Sequence, residues 1–154
     1  MKTEGIKINE DAAKILNEQD NNFPKGSFAA WYGEDLSGQT YEGDLDCSNK
    51  KLTSLFGCPS TVTGYFDCSY NKLTSLEGAP KEVGEDFHCS CNRLTSLEGA
   101  PKEVGRYFSC SNNQLTSLKG APKEVRGDFY CYDNRLKSLE GVGKVRGEIY
   151  SNID

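Results

Sequence analysis

The chain has one histidine and one methionine among 154 residues, no apolar run near the length of a membrane span, and no surplus of cations. Each scarcity excludes something. A bilayer-crossing helix needs about 20 consecutive apolar residues, and no segment approaches that. No hydrophobic signal core follows Met1, and together with the seven cysteines this makes a reducing cytoplasm the expected compartment. Lys and Arg number 18 against 23 Asp and Glu, a formal charge of −5. That balance is poor for nucleic acid, whose phosphates demand clustered cations. The charge is also uneven: residues 1–44 hold nine acids and four lysines, and the remainder is balanced. Cys89 and Cys91 flank the segment beside His88, but no second CxxC or HxxxH pair completes a zinc site. No metal and no cofactor is expected.

What the chain has in abundance is repetition. The segment Phe66 to Asp86 recurs nearly letter for letter from Phe87 and Phe108, with diverged copies from Leu45 and Phe129 and a partial one from Ile149. Cys47, Cys68, Cys89, Cys110 and Cys131 are spaced by 21 residues, as are Leu52, Leu73, Leu94, Leu115 and Leu136. A fixed period of this size implies a solenoid whose units stack only on their neighbours. Phe66 and Cys68 alternate with Asp67 and Ser69, the period-two mark of a half-buried strand. Gly78-Ala79-Pro80 then ends regular structure, because proline lacks an amide donor and restricts the residue before it. Lys81 to Asp86 is too short and polar for a packed helix and reads as extended or turn-like. The predicted fold is a mainly β solenoid with a parallel sheet of about six short strands. The cysteines are expected to pack inward as small hydrophobes rather than to form disulfides.

Residues 1–44 do not repeat and read as an N-terminal cap, with 45–154 as the repeats. Asn9 is a suitable N-cap for a short helix from Glu10 to about Gln19, and Phe28, Trp31, Tyr32 and Leu36 are expected to cover the open end of the first coil. At the other end Ile149, Tyr150 and Ile153 form a last strand with little to cover it. Such an edge invites self-association, most simply a two-fold dimer.

The pattern Phe66-x-Cys68-x-x-Asn71-x-Leu73-x-x-Leu76 resembles the leucine-rich repeat, with Phe and Cys in two leucine slots. The resemblance implies a right-handed coil and a ladder of asparagines 71, 92, 113 and 134, whose amides satisfy backbone groups in the turn after each strand. Lys50 breaks that ladder in the first copy. The short repeats are also similar to those of bacterial effector ubiquitin ligases, without a catalytic domain following them. Leu-Thr-Ser-Leu-Glu-Gly-Ala-Pro resembles repeats in bacterial and phage proteins. That likeness implies a binding module, an inhibitor of a host defence protein if the source is a phage, acting in the host cytoplasm.

Three outward slots per repeat are expected on the concave face. The first reads Asp44, Tyr65, Asp86, Tyr107, Asp128, Glu148; the second Asp46, Asp67, His88, Ser109, Tyr130, Tyr150; the third Ser48, Ser69, Ser90, Ser111, Tyr132, Asn152. Together they read as an acidic face interleaved with tyrosine, a residue enriched at protein interfaces. The expected function is therefore non-catalytic binding of a protein with a basic surface through Tyr65, Asp67, Asp86, His88, Tyr107, Asp128, Tyr130, Tyr132 and Tyr150. Asp67, His88 and Ser109 spell a Ser-His-Asp triad, but parallel side chains on an open sheet have no oxyanion hole. An acidic decoy for a nucleic-acid-binding site and a small-ligand sink are the alternatives. The exposed row Lys51, Lys72, Arg93, Gln114, Arg135 reads as a solvated edge.

Overall fold

The computed structural model describes residues 2–4 and 22–153. The helix expected over 10–19 and the final Asp154 lie outside the described residues. Two parallel sheets run along the stack. The first, of six strands, contains β3 (Leu45–Asp46), β5 (Phe66–Asp67), β7 (Phe87–His88), β9 (Phe108–Ser109), β11 (Phe129–Tyr130) and β13 (Ile149–Tyr150). The second, of seven, contains β1 (Lys2–Glu4), β2 (Thr40–Glu42), β4 (Thr61–Val62), β6 (Glu82–Val83), β8 (Glu103–Val104), β10 (Glu124–Val125) and β12 (Lys144–Val145). The sequence pointed to one sheet. The return segments form the second because Val62, Val83, Val104 and Val125 are buried while their neighbours stay at the surface. Two residues are too few for alternation to be visible in a sequence.

Neighbouring strands pair one repeat apart: Phe66 with Phe87, Phe87 with Phe108, Phe108 with Phe129. The four rings form a column, with centroids 5.4, 5.4 and 5.2 Å apart, in stacked geometry. Leucines 52, 55, 73, 76, 94, 97, 115 and 118 fill the rest of the core. Fully burying one such side chain contributes about 1.5–3 kcal/mol, so each turn supplies several kcal/mol that only a stacked neighbour can realise.

The asparagines hold successive turns together. Asn71 accepts from the Lys50 and Leu52 amides and donates to the Cys47, Cys68 and Ser69 carbonyls. Asn92, Asn113 and Asn134 repeat the arrangement, each accepting from a leucine amide of the preceding turn. Lys50 takes the asparagine slot in the first copy, so the ladder's first asparagine is Asn71, which satisfies the Lys50 amide.

Repeat geometry begins before Leu45. Tyr41 in β2 pairs in register with Val62 and occupies its buried slot. Ahead of it, helix α1 (Phe28–Tyr32) is capped by Ser27, whose hydroxyl accepts from the Ala30 amide, and closed by Gly33 at φ 92°. The Phe28, Ala29 and Leu36 amides donate to Ser54, Phe56 and Gly57 of the first coil. A Cβ on Gly57 would stand 2.4 Å from Ala29 Cβ, so the helix seats only against glycine.

The turn after each face strand puts a residue in the left-handed region: Asn49, Tyr70, Cys91, Asn112 and Asp133, at φ 54–56°, joined in the first copy by Lys51 at 58°. Asn and Asp tolerate this conformation, whereas other L-residues are disfavoured by about 1–2 kcal/mol. Tyr70 is 66% exposed and buries little in return. Tyr70→Asn and Cys91→Asn are each expected to stabilise the fold by about 0.5–1 kcal/mol, read as a rise in the urea midpoint with an unchanged slope.

Candidate functional site

On the outer face of the six-stranded sheet, Tyr107 of the first row, Tyr130 and Tyr150 of the second and Tyr132 of the third form one chain of ring contacts. Tyr107 meets Tyr130 edge-on, with centroids 5.9 Å apart. Tyr130 stacks on Tyr150 at 4.9 Å with an interplanar angle of 7°, and Tyr132 leans on both at 6.0 and 6.4 Å. His88 extends the patch, its ring 5.4 Å from that of Tyr107. Strand register produces this contact: Phe129 pairs with Phe108 and with Ile149, which brings the residues beside each of them together. Tyr150 is 40% exposed, and Tyr107, Tyr130 and Tyr132 are half-buried. Tyr65 is also half-buried, at the N-terminal end of the face.

Two of the phenols, those of Tyr107 and Tyr130, are pushed further from ionisation. The Asp86 carboxylate, then burial, pushes the Tyr107 phenol above its usual range, and burial followed by the Asp128 carboxylate does so for Tyr130. Tyr107 and Tyr130 therefore present neutral rings.

The acids of the first row are placed differently from expectation. Asp86 is 8% exposed; its Oδ1 accepts from the Tyr107 amide. Asp44 accepts from the Tyr65 amide and Asp128 from the Glu148 amide in the same way. These carboxylates cap corner amides of the next turn, which have no other partner among the described residues, and so serve the fold. Asp128 also accepts from the Tyr130 hydroxyl at 3.3 Å. Ser69 and Ser111, expected to face outward, are buried. Asp46 and Asp67 stay on the outer face in register with each other, each accepting from the amide two residues on.

Asp67, His88 and Ser109 do lie in adjacent strands. Among the described residues no hydrogen bond joins them: Ser109 Oγ bonds to Ser90 Oγ at 2.6 Å, and the His88 ring packs on Tyr107. A nucleophile needs its base within hydrogen-bond reach. Nor does any group of three His, Cys, Asp or Glu converge as a metal site among the described residues. No known family, characterised protein or solved structure matches this chain. Its site has to be read from its own residues.

All seven cysteines are free thiols, and all but Cys91 are buried. Burial raises the Cys47, Cys68, Cys89 and Cys110 thiols well above their usual range, and Cys131 to about 11. Four of them donate to the carbonyl of the next strand: Cys68 to His88 at 3.3 Å, Cys89 to Ser109 at 3.3 Å, Cys110 to Tyr130 at 3.5 Å and Cys131 to Tyr150 at 3.5 Å. Leucine has no donor to offer there. A thiolate-selective reagent is expected to label Cys91 alone in the native protein, with the other six reacting only on unfolding. Fast native labelling of Cys89 or Cys110, read by peptide mass spectrometry, contradicts the strand register.

At the far end, β12 and β13 have no further neighbour among the described residues. Ile149 and Ile153 are half-buried there, and Tyr150 belongs to the aromatic patch. Among the described residues no helix is long and apolar enough to cross a membrane.

Proposed function

We propose that the chain is a non-catalytic binding module that engages a protein partner through the outer face of its six-stranded sheet. The continuous patch of Tyr107, Tyr130, Tyr132 and Tyr150 carries this reading. Contact among the rings fixes their orientation before a partner arrives, so little side-chain entropy is lost on docking. Asp46 and Asp67 lie farther along the same face and would select a basic surface on the partner and speed encounter. The asparagine ladder and the 21-residue coil support a leucine-rich type of repeat. The likeness to phage-type repeats gives the module the role of blocking a host protein, such as a defence factor.

A decoy for a nucleic-acid-binding site is less well supported. It needs contiguous carboxylates, and Asp44, Asp86 and Asp128 are engaged with backbone amides. Catalysis by the Asp67, His88 and Ser109 row is disfavoured by the missing nucleophile–base contact.

Capture from host lysate with immobilised variants tests the proposal. Tyr130→Ala and Tyr107→Ala are each expected to weaken partner binding by about 2 kcal/mol, roughly 30-fold, with thermal unfolding little changed. His88→Ala and Ser109→Ala are expected to matter much less. If Lys72→Glu with Arg93→Glu abolishes capture and the tyrosine variants do not, the basic edge is the interface and the proposal is wrong.

A further inference from the structure

All five arginines of the chain, Arg93, Arg106, Arg126, Arg135 and Arg146, fall within residues 87–153, where ten cations stand against seven acids. They border the tyrosine patch on two sides. Arg106, Arg126 and Arg146 sit in the corners leading into β9, β11 and β13, and Arg93 and Arg135 in the turns after β7 and β11. Arg146 is engaged, with Glu124 Oε1 2.6 and 2.7 Å from two of its nitrogens. The other two corner arginines are held more loosely. Arg106 makes a long ion pair with Asp86 at 3.8 Å and lies over the Tyr107 ring at 6.0 Å, with its side chain still 62% exposed. Arg126, also exposed, makes no ion pair within 4 Å among the described residues. Both line one open hollow on the face, together with His88, Tyr107, Tyr130 and Asp128.

The two acids nearby keep their charge, but their oxygens are turned toward the protein's own donors. Asp86 is buried against the Tyr107 amide, and Asp128 spends one oxygen on the Glu148 amide and the other on the Tyr130 hydroxyl. The exposed guanidinium groups are the charges left facing outward. We propose that this hollow binds a single oxyanion, a carboxylate or a phosphate, carried on a flat apolar group of the partner protein. The proposal rests on the protein-binding reading above and gives it a direction: the partner's anion seats at Arg106 and Arg126, and its basic surface lies toward Asp67 and Asp46.

The chemistry follows from the lining. A guanidinium presents a planar fork of donors that matches two oxygens of a carboxylate or phosphate. Tyr107 and Tyr130, meeting at 78°, offer a ring face and a ring edge to a flat group. One anion fits and a phosphate chain does not. Asp128, Asp133 and Glu148 stand among the arginines, and Asp67 and Asp46 continue the face at about 4.8 Å per turn. A single-stranded nucleic acid laid along the strip would meet carboxylates within a few turns.

Amide chemical-shift titration of the full chain with phenyl phosphate tests this, with phenylacetate, benzyl alcohol and an eight-nucleotide oligothymidylate in parallel. Phenyl phosphate is expected to shift the Gly105, Arg106, Tyr107 and Gly127 amides saturably. Arg126→Gln, at an exposed position, is expected to cut that affinity at least fivefold while leaving the remaining spectrum in place. Equal binding of phenylacetate identifies an acidic side chain as the source of the anion, and a strong preference for phenyl phosphate identifies a phosphorylated one. Benzyl alcohol binding as well as phenyl phosphate, or Arg126→Gln having no effect, overturns the proposal. So does oligothymidylate binding tighter than either small anion, which makes the strip a nucleic-acid platform. If the anions fail while Tyr130→Ala still abolishes partner capture, this inference falls and the protein-binding reading stands. If the anions bind and the tyrosine variants retain partner, the hollow is an anion site and the tyrosine patch is not the partner interface.

Discussion

Asn92→Ala is expected to cost roughly 3–5 kcal/mol of stability, far more than the loss of a few surface atoms would suggest. The Asn92 side chain accepts from the Leu73 amide and donates to the carbonyls of Cys68, Cys89 and Ser90. Alanine leaves these groups in a site from which water is excluded, and each buried group left unpaired costs about 1–3 kcal/mol. Asn92→Asp separates geometry from polarity. The carboxylate has almost the shape of the amide but faces carbonyl oxygens, so its folded-state pKa is raised above the unfolded value of about 3.9. Below that pH the side chain is protonated in both states and can still donate one hydrogen bond. As pH rises above about 4 the unfolded state ionises first and stability falls. Urea unfolding at pH 4 and pH 7 reads this, and equal loss at both values contradicts the account.

Phe87→Ala is expected to cost about 3–5 kcal/mol as well, for a different reason. Phe87 stands in the middle of the ring column, 5.4 Å from both Phe66 and Phe108. Its removal opens a void that neither neighbour can fill without leaving its own rotamer. Leu45 occupies the same slot in the first coil and is buried, so Phe87→Leu is expected to cost less than about 1.5 kcal/mol. The double variant Phe87→Ala with Phe108→Ala should lose less than the sum, because the two share one cavity. Strict additivity in chemical unfolding would mean that the rings do not form a continuous column.

The parts of the fold that the sequence made legible are those that repeat by letter. Phe66, Cys68, Asn71 and Leu73 recur at fixed offsets, so the face sheet and inward cysteines followed from one repeat, and the asparagine ladder from the resemblance to leucine-rich repeats. The second sheet did not, because Glu82–Val83 and its equivalents give one buried residue each. Whether Asp86 turns outward or caps the Tyr107 amide depends on corner geometry, and no spacing rule encodes that. The arginine border was hidden by a one-residue shift. The corner reads Gly105-Arg106 in one turn and Arg126-Gly127 in the next. Aligned by repeat, the two arginines fall in different slots, yet both line the same hollow. The tyrosine patch was anticipated from alternation alone, since Tyr130 and Tyr150 are register partners.

The near-identity of the central turns has a consequence for how the chain finds its structure. A stack slipped by one whole repeat keeps phenylalanine on phenylalanine, thiol under carbonyl and asparagine under its leucine amide. The core alone hardly distinguishes the native pairing from its neighbour. The glycine beneath Ala29 recurs in every turn, so what marks the correct alignment is α1 itself, bonded to the first coil through the Phe28, Ala29 and Leu36 amides, with Phe28 closing that turn. The capped end thus acts as the origin from which the turns are counted. A lesion there would produce out-of-phase stacks rather than a simple loss of contacts.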